Sequence, residues 1–237
     1  MSLPFNTLDY EIRKIAIIDE HKSEAEMAKS EVEAAGFEPL VIRGHFNEVE
    51  DLTSAILGKA QGALCGHRLS RSGLADFPGA KLVAHLYDLK IPAILVTQFA
   101  DIDNGVSIRN WRDKIPVLLS REEADAYSIA EGLESCLQEL QGHISSTRKP
   151  YRTLLRIVDI GSQSGEKVID AVIPGWNPYR AVRFPAALLP KSIRKSHIIK
   201  EGTRLIAKVN IGAEKASELY FKDFEVAEEP DEDDGLA

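Results

Sequence analysis

The sequence is poor in several things at once. Two cysteines in 237 residues, Cys65 and Cys136, are too few for a disulfide framework, and neither belongs to a paired-cysteine metal motif. Both fall in segments read as a buried strand and a helix, as core thiols. No apolar run approaches the roughly 20 residues that cross a bilayer, and the opening MSLPFNTLDYEIRK has neither a long apolar core nor a cleavage signature. A soluble, cytoplasmic protein with no membrane contact is expected. Residues 225–237, EVAEEPDEDDGLA, carry seven acidic side chains and no basic one. A segment so polar cannot bury its backbone, and a disordered acidic tail over 227–237 is expected.

What is there is a charge partition hidden under a modest total. The formal charge is −8. Residues 1–142 hold 14 basic and 23 acidic side chains, residues 143–224 hold 15 and 7, and the last thirteen hold 0 and 7. An acidic domain, a basic domain and an acidic tail follow one another, and such asymmetry bears on partners. The Ser, Thr and Pro of HISSTRKP mark residues 143–150 as a linker.

Over 1–142 the pattern alternates apolar runs with helical periodicity. KIAII (14–18), PLVIR (39–43), ALCG (63–66), PAILVT (92–97) and IPVLL (115–119) read as strands. Between them fall a helix capped by a Ser23/Glu26 box and ended by Gly36, a second capped by Asn47, a third over 79–90, and a short one near 103–112. A final helix opens at a Ser120/Glu123 box and carries Ile129, Leu133 and Leu137 on one face. Strands with little internal alternation are buried on both faces, so the fold class is α/β, a five-stranded doubly wound parallel sheet of flavodoxin-like order 2-1-3-4-5. Its functional edge, beyond the strands' carboxyl ends, receives Asp19, Glu20, Gly66, His67, Thr97, Gln98 and Ser120. His67 and Arg68 are expected in a surface loop.

This constellation resembles the receiver domain of two-component response regulators over roughly residues 12–141. Asp19 and Glu20 after KIAII match the family's Mg²⁺-binding acidic pair, and Thr97 in IPAILVTQF matches its switch threonine. ALCGHRLSRSGL looks like the third strand and the following loop, and in that register Gly66 stands at the phosphoacceptor position. The lysine that follows strand five in the family is not evident, since IPVLLSREEAD offers Leu119 or Ser120 there. The resemblance therefore implies a pseudo-receiver, a signalling module without enzymatic activity, with at most a vestigial Mg²⁺ site at Asp19 and Glu20. Glycine has no nucleophile, and its substitution for aspartate also removes an anionic oxygen from the cation site. The resemblance further implies a protein partner from a signalling pathway and self-association through the helix over 120–140. Two rival readings stand beside it: a phosphorylatable response regulator with a nucleic-acid-binding output, and a metal-assisted hydrolase built on Asp19, Glu20 and His67.

From Tyr151 the period becomes that of strands. RTLLRIVDI and KVIDAVIP read as a hairpin, AVRFP, TRLIAKVNIG and SELYFKDFEV as further strands, and GWNPYR as a loop. About six short strands in residues 151–226 suit a small all-β barrel or sandwich. Arg152, Arg156, Arg180, Arg183, Arg194 and Lys195, with Trp176 and Tyr179 between basic residues, form a candidate contact surface for a partner or a nucleic acid, since basic grooves with exposed aromatics neutralise phosphates while stacking bases.

Overall fold

The buried runs of the sequence become strands in a computed structural model of the chain, which describes residues 11–98, 106–163, 165–195 and 199–227. The acidic tail beyond Ala227 lies outside the described residues. The chain forms two compact units: one comprises residues up to Gln98 together with Lys114–His143, the other Phe99–Asp113 together with residues from Ile144 onward.

In the first unit, β1 (Lys14–Ile18), β2 (Glu38–Val41), β3 (Gly62–Gly66), β4 (Ala93–Thr97) and β5 (Val117–Ser120) form a parallel sheet in the order β2-β1-β3-β4-β5. Every residue of β3 and β4 is buried, which is why these runs lack alternation. Helix α1 (Lys22–Ala34) packs with α4 (Ala126–Leu140), and α2 (Val49–Ile56) packs with α3 (Gly79–Asp88). Ala25, Val32, Ile129, Leu133 and Cys136 meet Ile15, Ile17, Leu64, Ile94 and Val96 in one apolar layer. Each fully buried Ile or Leu there contributes about 1.5–3 kcal/mol of transfer free energy.

Local signals were displaced by a few residues. The Ser23 box does not form; α1 is preceded by His21, with no side-chain cap. Nor does Asn47 cap α2, whose N-cap is Glu48. Both arms of the Ser120/Glu123 box exist, Ser120 N to Glu123 Oε2 at 2.9 Å and Glu123 N to Ser120 Oγ at 3.2 Å, but they close a turn; α4 begins later, capped by Asp125 accepting from Ser128 N at 2.8 Å. The short α-helix expected near 103–112 begins outside the described residues, and its described part is a turn followed by a 3-10 segment, Arg109–Lys114.

Among the described residues the second unit is one antiparallel sheet of five strands, where about six were expected: β6 (Tyr151–Gln163), β7 (Glu166–Ile173), β8 (Asn177–Pro185), β9 (Arg204–Val209) and β10 (Phe221–Val226), in the order β10-β9-β6-β7-β8. A short helix α5 (Lys191–Lys195) lies between β8 and β9. The sheet curls until aromatic rings of its outermost strands meet, Phe184 of β8 lying 4.9 Å from Phe221 and 5.4 Å from Phe224 of β10 between centroids. A bulge at Asp223, whose φ is +54°, lets Phe221 and Phe224 both point inward although they are three apart.

Residues 106–113 belong to this second unit, whereas the sequence reading placed them in the first. The guanidinium of Arg109, 5% exposed, donates to the carbonyls of Leu219 at 2.8 Å and Ala216 at 2.9 Å and lies over the Phe221 ring. Burial lowers its pKa to about 10, so it is still a cation at neutral pH. Arg148, within the stretch read as a linker, is also buried; it donates to the carbonyls of Arg112 and Asp113 and accepts from Tyr220 Oη through its own carbonyl at 2.7 Å. Asn210, which falls inside the run TRLIAKVNIG read as a strand, follows the end of β9 and is fully buried, donating to Thr147 O and Glu218 O and accepting from Tyr220 N.

Candidate functional site

The order β2-β1-β3-β4-β5 reverses direction between β1 and β3, and a doubly wound sheet opens its crevice at such a point, beyond the carboxyl ends of the strands. Asp19 follows β1 and Gly66 ends β3, so the two lie together there. A Cβ on Gly66 would sit 2.9 Å from Asp19 Oδ2, closer than carbon and oxygen approach without contact strain. On its other side the backbone of Gly79, the first residue of α3, closes in so far that a Cβ there would overlap the Gly66 carbonyl oxygen. The space a side chain at position 66 would need is taken by the Asp19 carboxylate, and α3 packs against the same strand end.

The carboxylate is drawn in by a residue that sequence reasoning missed. Arg121, the first residue after β5, donates from its Nη1 to Asp19 Oδ2 at 2.6 Å, and its Nε lies 3.2 Å from Glu24 Oε2. Its backbone N–H bonds the Thr97 carbonyl at 3.1 Å, which fixes the loop that carries it. The other Asp19 oxygen accepts the His21 N–H at 3.0 Å. Asp19's side chain is 4% exposed and Arg121's 24%, so the pair is shielded more than an ordinary surface ion pair. A cleft of about 400 Å³ opens beside it, floored by Ile17, Leu64 and Val96 and rimmed by Glu24, Glu31 and Asp125.

This donor set does not fit a Mg²⁺ ion. Such a cation requires near-octahedral oxygen ligation. Here one Asp19 oxygen is held by a guanidinium and the other by a backbone N–H, and Gly66 brings no side-chain oxygen. Glu20 lies 3.4 Å from His21 Nε2, and among the described residues no three His, Cys, Asp or Glu side chains gather as a metal-ligand set. His67 is buried at 5% exposure, not in a surface loop; its N–H bonds Val96 O at 3.0 Å and its carbonyl accepts Gly79 N–H at 2.7 Å. Thr97 is 2% exposed at the end of β4, paired in register with Ser120. Burial, and secondarily the Asp19 charge, push the Cys65 thiol well above its ordinary pKa, so it is no nucleophile here.

Comparison with solved structures returns receiver-domain proteins at low sequence identity. A receiver-domain protein from Clostridium thermocellum is 13% identical, with 54% of this chain and 97% of that one covered at a TM-score of 0.41. A CheY-like receiver-domain protein from Methanospirillum hungatei is 19% identical, covering 56% and 98% at 0.41. A response regulator from Burkholderia pseudomallei, solved with a phosphorylated aspartic acid, a calcium ion and citrate, is 21% identical, covering 55% and 71% at 0.40. The first unit is similar to response-regulator receiver domains. Neither a comparison with protein-family models nor one with curated proteins returned a match. Gly66 and the Asp19–Arg121 pair stand at the sheet edge described above.

In the second unit some of the expected contact residues already have acidic partners. Arg183 grips Asp170 with two bonds, 2.9 and 2.7 Å, and Arg152 pairs with Glu225 at 2.9 Å. Trp176 is not an exposed stacking platform: it packs against the core and donates its Nε1–H to Ala213 O at 2.8 Å. The stretch GWNPYR is not a loop beyond Trp176, since Asn177 opens β8. Tyr179, 95% exposed, does stand free of the core, and Arg156, Arg180 and Arg194 are exposed. Lys195 ends α5, its side chain lying outside what is described. No helix among the described residues is long and apolar enough to cross a membrane.

Proposed function

We propose that the chain is a non-enzymatic signalling protein whose receiver-like unit works as a pseudo-receiver, recognising a protein partner without phosphoryl transfer. The observation that carries this reading is Arg121 bound to Asp19 at 2.6 Å beside Gly66. Acyl-phosphate formation needs a carboxylate nucleophile and a cation on the phosphoryl oxygens. Gly66 cannot attack, and the guanidinium already supplies the positive charge that a divalent ion would bring to Asp19. The module is then held in a single electrostatic state, and regulation passes to the partner and to the basic second unit.

Incubation with acetyl phosphate, or with beryllofluoride and Mg²⁺, tests this. Intact mass and the amide spectrum are expected to stay unchanged. A phospho-adduct that disappears on replacing one aspartate would overturn the reading in favour of a working response regulator. The association of copies expected through residues 120–140 falls on α4, where Tyr127 is 74% exposed; sedimentation of the parent chain and of Tyr127→Ala tests it.

A further inference from the structure

The outward face of β6 and β9 places like charges directly opposite one another. In register, Arg152 faces Lys208, Leu154 faces Ile206 and Arg156 faces Arg204. Such a ladder is unfavourable unless anions intervene. β10 supplies two: Asp223 lies 2.9 Å from Lys208 and Glu225 lies 2.9 Å from Arg152. Arg156 and Arg204 have no acidic partner within 4 Å among the described residues, and both are exposed.

The direction of β10 decides what comes next. It runs antiparallel to β9, and Ala227 N–H bonds the Arg204 carbonyl at 3.1 Å, so the chain reaches Arg204 as the strand ends. The following residues are Glu228, Glu229, Pro230, Asp231, Glu232, Asp233 and Asp234, six acids and no base. We infer that residues 228–234 dock on Arg204 and Arg156, continuing the acid-on-base ladder that Asp223 and Glu225 begin, and so occupy the anion-accepting face of the second unit with the chain's own tail. Reach is ample: seven extended residues span about 23 Å, and β6 lies only about 4.8 Å beyond β9. The contact is exposed, so salt weakens it; the screening length falls to about 3 Å at 1 M. This inference does not rest on the pseudo-receiver reading.

Both native cysteines are buried, so a Gly235→Cys variant takes a thiol-reactive fluorophore selectively. At 20 mM salt the label's anisotropy is expected to be high and to drop in 1 M salt. In the added presence of Arg156→Gln and Arg204→Gln it should start low and lose its salt response, and replacing the six tail acids with their amides should have the same effect. Far-UV circular dichroism confirms that each variant is folded. Displacement of the label by a single-stranded oligonucleotide in the parent but not in the arginine variant would further support the shared face. Salt-sensitive anisotropy that survives the arginine replacements, or is missing from the parent, overturns the inference.

Discussion

Replacing Arg121 with Met keeps most of its aliphatic bulk and removes the charge that faces Asp19. Removal of one member of a buried ion pair costs about 3–5 kcal/mol, because the remaining charge is stranded. Arg121 is 24% exposed and the His21 N–H bond to Asp19 survives, so solvent recovers part of that and about 2–3 kcal/mol is expected. Global unfolding probes would mislead, because two units need not unfold together and both tryptophans, Trp111 and Trp176, belong to the second. Cys65 and Cys136 belong to the first and are fully buried, so their labelling by a thiol reagent reports opening of that unit. The expected loss corresponds to labelling about 30- to 150-fold faster than in the parent. Asp19→Asn in the Arg121→Met background removes both charges and should restore at least half of the protection. A change below about threefold, or strictly additive effects of the two replacements, would refute the claim that the pair organises this edge.

Other outcomes follow from the same geometry. Gly66→Ala forces a methyl against Asp19 Oδ2 and should cost the first unit about 1–3 kcal/mol, read by the same thiol protection. Gly66→Asp should still take up no beryllofluoride while Arg121 is present, as checked by ¹⁹F resonance. Arg109→Leu strands the Leu219 and Ala216 carbonyls and should cost the second unit about 2–4 kcal/mol, seen as an earlier urea transition in tryptophan fluorescence. Asp125 has its pKa lowered by the hydrogen bond from Ser128 N–H, so its cap stabilises α4 above the ordinary value of 3.8 and is lost as pH falls through the lowered one. The Asp125→Ala variant should therefore differ from the parent in melting temperature at pH 6 and converge on it in stronger acid.

The sheet of the first unit was legible because its strands are buried on both faces and so stand out as unbroken apolar runs; KIAII coincides with β1 residue for residue. The edge residues Asp19, Gly66 and Thr97 were legible for the same reason, being the polar or small positions that close or directly follow those runs. Arg121 was not. Placing strand five at 115–119 rather than Val117–Ser120 moved its end by one residue, and the SREE sequence reads equally well as a helix start. The signal that could have found it is a lone cation among acids next to a strand end. In the second unit, TRLIAKVNIG is legible as a strand because Arg204–Val209 alternates between exposed and buried positions, but Trp176 looked exposed because composition cannot distinguish a wet indole from one whose N–H has found a carbonyl. Nor can periodicity show that residues 106–113 serve a sheet formed by strands that begin nearly 40 residues later.

That allegiance of residues 106–113 has a practical side. The chain enters the second unit after Gln98, returns to the first at Lys114 and leaves it again after His143, so neither unit is a cassette with one seam. A fragment cut at the obvious joint, starting near residue 144, would lack Arg109 and expose the carbonyls it serves, while the complementary fragment would carry a severed strap with a buried cation and nothing to bury it in. Any rearrangement of genes that borrowed the basic sheet would have had to bring along a piece of someone else's sheet connection, and the two halves are therefore expected to travel together.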